Sequence, residues 1–131
     1  MPFRKTILAV ALLGLLAACS DGCGNDIVSR VDAPGGALSA VMFQRDCGAT
    51  TGFTTQVSIL RAGEALAGKG NVFIADDDHG AARVGPWDGP WADIRWLGPD
   101  HLRIRYAAKT RVFLKQESMA GVRVTYQLAN E

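Results

Sequence analysis

The stretches "HLRIRYA", residues 101–107, and "GVRVTYQL", residues 121–128, decide the fold. In the first, Leu102, Ile104 and Tyr106 alternate with Arg103 and Arg105. In the second, Val122, Val124, Tyr126 and Leu128 alternate with Arg123, Thr125 and Gln127. Successive side chains of a strand point to opposite faces, so a period of two sends the apolar set to a core and the other set to water. A helix needs apolar residues three and four apart, and no long stretch after residue 18 sustains that period.

The same grammar extends outward. "IVSRVD" (27–32) runs into the turn "APGG" and then "LSAVMFQR" (38–45). "TTQVSILR" (54–61) and "GNVFIA" (70–75) are separated by the Gly-containing "AGEALAGK". "DIRWL" (93–97) and 101–107 flank the turn "GPD", and "RVFLKQES" (111–118) and 121–128 flank Met119-Ala120 as a last hairpin. Seven or eight short strands with tight turns predict an all-β fold, an antiparallel sandwich or a curled sheet. An α+β domain with one short helix near Glu64–Ala67 is the alternative.

The chain begins with a basic head (Arg4, Lys5) and an apolar run from Ile7 to Ala18 broken only by Gly14. That is the order of a secretory signal. A dozen helical residues rise about 18 Å at about 1.5 Å each, short of a hydrocarbon core of roughly 30 Å. Leu16-Ala17-Ala18-Cys19 resembles the lipobox of bacterial lipoproteins. The resemblance implies cleavage after Ala18 and a diacylglycerol on the Cys19 sulfur, so that the partner at the anchor is the membrane. Several acyl chains hold stably where one holds only reversibly. If the host is Gram-negative, Ser20 lacks the Asp associated with inner-membrane retention, and the outer membrane, facing the periplasm, is the expected address.

With Cys19 given to lipid, two of the three cysteines remain, Cys23 and Cys47. In an oxidising compartment the expectation is a disulfide between them. Residues 1–18 are then a signal peptide, 19–26 an anchor and short tether, and 27–131 a single β domain. Removing 18 of the 131 residues leaves 113, enough for one core and too few for two. Two of the 14 basic residues go with the signal, leaving 12 against 13 acidic ones and a formal charge of −1. This balance, with export, excludes nucleic acid as a partner. The charge is uneven: residues 19–93 carry 5 basic and 10 acidic side chains, and residues 94–131 carry 7 and 3.

"RDCGATTGFTTQVSI", residues 45–59, resembles a segment of small bacterial envelope proteins, often lipoproteins, in which a cysteine near the mature start precedes a turn, a strand and a "DCGATT" run. The likeness covers roughly residues 23–60. In that family the turn often reads Ser-Pro-Asp-Gly-Lys, as in propeller blades, and Ala33-Pro34-Gly35-Gly36 departs from it. The resemblance implies the disulfide and the β fold, and brings no activity with it. Physically, Thr50 and Thr51 in this glycine-flanked loop either present a nest to an anion or satisfy their own backbone in a bulge or turn.

Four further groups are candidates. Arg103, Arg105 and Arg123 form a basic stripe that either meets an anionic envelope component or is a solvated face discouraging edge pairing. Trp87 and Trp91, in "GPWDGPW", are either a ligand platform or a plug over one end of the core. In "ADDDHG" (75–80), Asp76, Asp78 and His79 are weak metal candidates, because adjacent carboxylates diverge and the spacing is not that of an EF-hand. His79 and His101 are the only histidines and no serine has a nucleophile motif around it, so no catalytic residue and no cofactor is assigned. The expectation is an interaction or structural module of the envelope, touching an envelope protein or an anionic component, with a small-ligand-binding lipoprotein as the alternative.

Overall fold

The alternating segments form nine strands in a computed structural model that describes residues 22–48 and 52–130. They are β1 (Gly24–Asp32), β2 (Leu38–Asp46), β3 (Thr54–Arg61), β4 (Phe73–Asp76), β5 (Ala92–Gly98), β6 (His101–Tyr106), β7 (Arg111–Lys115), β8 (Ser118–Met119) and β9 (Val122–Leu128). Among the described residues there is no helix. One sheet has the order β1-β2-β3-β4-β7 and the other β5-β6-β9-β8. Their inner faces share a single core, with Ala40, Met42, Val57, Ile59, Phe73 and Ala75 from the first sheet meeting Ala92, Leu102, Ile104, Val122 and Val124 from the second. The fold is a sandwich, and neither sheet closes into a barrel.

The chain's route differs from the hairpin expected at its end. β7 leaves β6 for the edge of the five-stranded sheet, where it pairs antiparallel with β4. Only the two residues of β8 make a hairpin with β9, through Ala120 (φ 52°) and Gly121 (φ 79°). β9 therefore arrives beside β6 after an excursion through the other sheet, and the two run parallel from His101↔Arg123 to Tyr106↔Leu128. The remaining strand pairings are antiparallel. Parallel neighbours need such a crossover. Leu102, Ile104, Val122 and Val124 are buried as the alternation requires, whereas Leu128, at the end of β9, is 55% exposed.

The outer face of the five-stranded sheet is covered by its own chain. Val41 and Phe43 are fully buried there, with Gln56 and Ser58 nearly so. The cover is the segment 62–72, the place where a short helix was the alternative. It forms neither helix nor strand, turns at Gly63 (φ 80°) and Gly68 (φ 67°), and bonds its polar groups to the sheet below. The Gly70 N–H donates to Gln56 Oε1 (2.7 Å), the Asn71 N–H to Ser58 Oγ (3.1 Å), and the Asn71 side-chain amide pairs with the Ile59 backbone like a strand residue (2.9 and 3.0 Å). A Cβ on Gly70 would stand 2.9 Å from the carbonyl oxygens of Val57 and Phe73, so the close approach requires glycine. Burying a side chain such as Phe43 is favourable by about 1.5–3 kcal/mol, which offsets part of the ordering cost of the segment.

Cys23 and Cys47 are joined, with Cα atoms 4.0 Å apart. The last ladder pair of β1 and β2 is Gly24↔Asp46, so the bond stands one position beyond it. The hairpin is closed at one end by the turn after Asp32 and at the other by the disulfide, and edge strand β1 cannot peel away. Opening this bond by reduction or by Cys23→Ala with Cys47→Ala is expected to lower stability by about 3.5 kcal/mol on the chain-entropy estimate for a loop of roughly 25 residues. Denaturant unfolding of the oxidised and reduced protein checks this, and equal midpoints would contradict it.

Candidate functional site

Among the described residues the outer face of the four-stranded sheet leaves Arg95, Leu97, Arg123 and Gln127 exposed, and hairpin register places its charges. β5 and β6 pair Asp93 with Arg105 and Arg95 with Arg103, and β6 and β9 pair Arg103 with Thr125 and His101 with Arg123. Directly opposed residues share a face with Cβ atoms about 4.5–5.5 Å apart. Arg105 is engaged within the fold: its Nε and Nη2 hold both oxygens of Asp93, and this bonding raises the Arg105 pKa further. Arg105 also approaches the Trp91 ring at 5.7 Å, with Arg83 over the same ring at 4.6 Å.

Arg95, Arg103 and Arg123 are placed differently. Among the described residues no carboxylate forms an ion pair with any of them. Arg103 Nε is buried without a hydrogen-bond partner. Arg123 donates from Nη2 to His101 Nδ1 (3.2 Å), and since a guanidinium only donates, Nδ1 is the acceptor and Nε2 carries the proton, facing Thr125 Oγ1 at 2.9 Å. Like charges directly opposite across a ladder destabilise it, yet Arg95 stands opposite Arg103. Arg95 went unremarked in the sequence. The turn at Pro99-Asp100 held the signal, because a hairpin closed there that pairs Asp93 with Arg105 also pairs Arg95 with Arg103.

The two loop tryptophans divide between roles. Trp87 packs against the core, and its Nε1 donates to Thr55 Oγ1 (2.8 Å), which in turn donates to the Pro90 carbonyl (2.7 Å). Gln44 Nε2 holds the Trp87 carbonyl at 2.6 Å. Trp87 is thus the plug at one end of the sandwich. A Cβ on Gly85 would meet its ring at 2.5 Å. Trp91, half-buried like Trp87, lies against the two guanidinium groups. The described threonines of the 45–59 stretch are also spent internally: Thr54 Oγ1 donates to the Arg45 carbonyl (2.9 Å) and accepts from Gln56 Nε2 (2.9 Å). Thr50 and Thr51 lie outside the described residues, as does Cys19.

In "ADDDHG" the carboxylates gather on a cation of the chain itself. Arg111 donates to both oxygens of Asp76 (3.0 and 2.6 Å), and its Nη1 lies 3.9 Å from Asp78. Asp78 (φ 51°) and His79 (φ 55°) both take the left-handed conformation, so the loop turns sharply away from the strand. Among the described residues no three His, Cys, Asp or Glu side chains converge as a metal site. Two open grooves flank the sandwich, one between Lys115, Glu117 and Arg123 and the other between Thr54, Asp77, His79 and Phe113. In the first, Lys115 lies over the rings of Tyr126 (4.9 Å) and Tyr106 (5.8 Å), and burial pushes the Tyr126 phenol well above its usual range. In the second, the Thr54 hydroxyl is bonded to the Arg45 carbonyl and to Gln56 Nε2. Among the described residues no helix is long and apolar enough to cross a membrane.

Comparison of the chain with protein-family models, with curated proteins and with solved structures gave no match.

The Arg111 hydrogen bonds, supported by the Asp78 N–H at 2.9 Å, hold the Asp76 carboxyl below its ordinary range, against the opposing effect of burial. A carboxyl depressed by folding contributes stability that is present above its unfolded pKa, near 3.9, and is lost as pH falls through the lower folded value. Asp76→Asn is therefore expected to flatten the decline of stability below about pH 4 while lowering stability at pH 7. Unfolding midpoints across pH 2–7 check this. An unchanged acid limb would show that the pair contributes nothing.

Proposed function

We propose that the protein is a lipid-anchored envelope protein that acts by contact, presenting the outer face of its four-stranded sheet to an anionic component of the envelope. The observation that carries this reading is Arg95, exposed, opposite Arg103 on the outer face, with no carboxylate among the described residues paired to either. Arrays of one sign on an open surface attract and orient partners of the opposite sign. The lipobox at Leu16–Cys19 and the "DCGATT" likeness support the anchored location, with the outer membrane facing the periplasm as the address in a Gram-negative host. Of the groups considered for a small ligand, Trp87 is used by the core and Trp91 lies against Arg83 and Arg105, while Thr50 and Thr51 lie outside the described residues.

The anchor and the face are tested separately. The membrane-extracted protein is expected to begin at an acylated Cys19 by intact mass, and Cys19→Ala is expected to leave it unprocessed or soluble. Membrane retention of a correctly cleaved Cys19→Ala chain would contradict the anchor. For the face, Arg95→Glu sets a carboxylate opposite Arg103, a cross-strand pair worth about 0.2–1 kcal/mol. The variant should melt at or above the parent temperature and still lose crosslinking to its envelope partner, a loss that raised salt reproduces. Undiminished crosslinking in the folded variant removes this face from consideration.

A further inference from the structure

One end of the sandwich is fixed relative to the proposed anchor. Register aligns Asn25, Arg45, Thr54, Asp76 and Arg111 in one row across the five-stranded sheet, next to the Cys23–Cys47 bond. The loops 77–91 and 107–110 close the same end, since Trp87 and Pro90 bond to Thr55 and the Ala107 N–H bonds to the Trp91 carbonyl. His101, Arg123 and Ser118 form a row at the opposite end of the other sheet. From Cys19 to Cys23 there are four residues, which span at most about 14 Å when fully extended. The disulfide holds Cys23 against β2, so the tether has no further slack to draw from the domain.

For the arginine face to lie flat on the anchoring bilayer, Cys23, in the far sheet, must stand above the headgroups by a sheet spacing of about 10 Å plus the depth of an arginine side chain. That uses the whole reach of the tether. Resting instead on the disulfide end costs no extension, and it turns Arg95, Arg103 and Arg123 away from the lipid. Resting on the proposed reading of a lipid-anchored contact protein, we infer that the tether denies this face to the phosphates of its own leaflet and reserves it for a carboxylate-bearing protein surface presented from beyond the membrane.

The composition of the face favours a protein. Among the described residues the cations of this face without an ion pair are arginines, whose planar forks take carboxylates in pairs, with Arg95 exposed and Arg103 half-buried beside it. Thr125 and Gln127 add neutral hydrogen-bonding groups along β9, and Leu97, two residues from Arg95, is 48% exposed. A phosphate polymer makes no use of an exposed leucine, whereas interfaces between proteins combine arginine with apolar contact.

The test uses the full-length acylated protein in phosphatidylcholine vesicles containing phosphatidylglycerol, with a fluorescent amino acid at Phe53 or at Leu97 and a quencher on the lipid headgroups. The Phe53 probe, beside β3 at the tethered end, should be quenched and the Leu97 probe should not. Quenching at Leu97 with the native tether overturns the orientation. A poly-glutamate peptide added to the same vesicles should bind. The affinity should fall by at least about tenfold, roughly 1.4 kcal/mol, in Arg95→Glu with Arg103→Glu, and also in the milder Arg95→Gln with Arg103→Gln. Absent or unaltered binding overturns the carboxylate partner, as does tighter binding of a polyphosphate of equal charge. A chain that is never acylated and stays off the vesicles overturns the anchor itself, a failure distinct from quenching at Leu97.

Discussion

The bond between Cys23 and Cys47 is the constraint from which the arrangement follows. It sits one step past the end of the β1–β2 ladder, on the edge strand of the five-stranded sheet. A strand with one free edge and one turn frays from its open end. Closing that end turns β1 and β2 into a ring whose register cannot slip without distorting the bridge. The same bond fixes the point where the chain leaves toward its N-terminus. The row Asn25–Arg45–Thr54–Asp76–Arg111 continues the fixed end across the sheet through side-chain bonds, with Arg45 donating to Asn25 (2.7 Å) and Arg111 to Asp76.

The two outer faces of the sandwich are treated oppositely. Over the five-stranded sheet the segment 62–72 lies close enough that Gly70 admits no side chain, and the polar atoms of Gln56, Ser58 and Asn71 are matched with backbone groups. Among the described residues the face of the four-stranded sheet has no such segment. It satisfies Arg105 through Asp93 and leaves Arg95 and Arg103 opposed. A fold that matches its polar groups so fully on one side has no structural use for repulsion on the other, where a single carboxylate at either position would relieve it.

Much of the fold was legible because period-two alternation is local. Leu102, Ile104, Val122 and Val124 could be assigned to the core from their neighbours alone, and the cysteine count led to the disulfide. The parallel pairing of β6 and β9 was not legible, because it depends on β7 crossing to the other sheet, a choice made by packing between residues far apart in sequence. Leu128 shares the alternation of Val124 and is still exposed, at the last position of β9. Similar limits applied to the candidate site. Arg105 and Arg103 are equivalent in an alternation pattern, and only the β5–β6 register separates the arginine that is neutralised from the one that is not. Trp87 and Trp91 are four residues apart in one glycine-rich segment, and their different roles come from Thr55 and Arg105, both outside that segment.

A double-mutant cycle on Arg95 and Arg103, each changed to Gln, measures most directly whether the face is held in reserve or serves the fold. If the two guanidinium groups have no work inside the protein, each single change is neutral or stabilising in denaturant unfolding. The double change then gains less than the sum, because the first has already removed the repulsion, and raised salt erases the coupling. Destabilisation of more than about 1 kcal/mol by either single change, with attractive coupling between them, would mean that the arginines hold the sheet together and that no outside partner is needed to explain them.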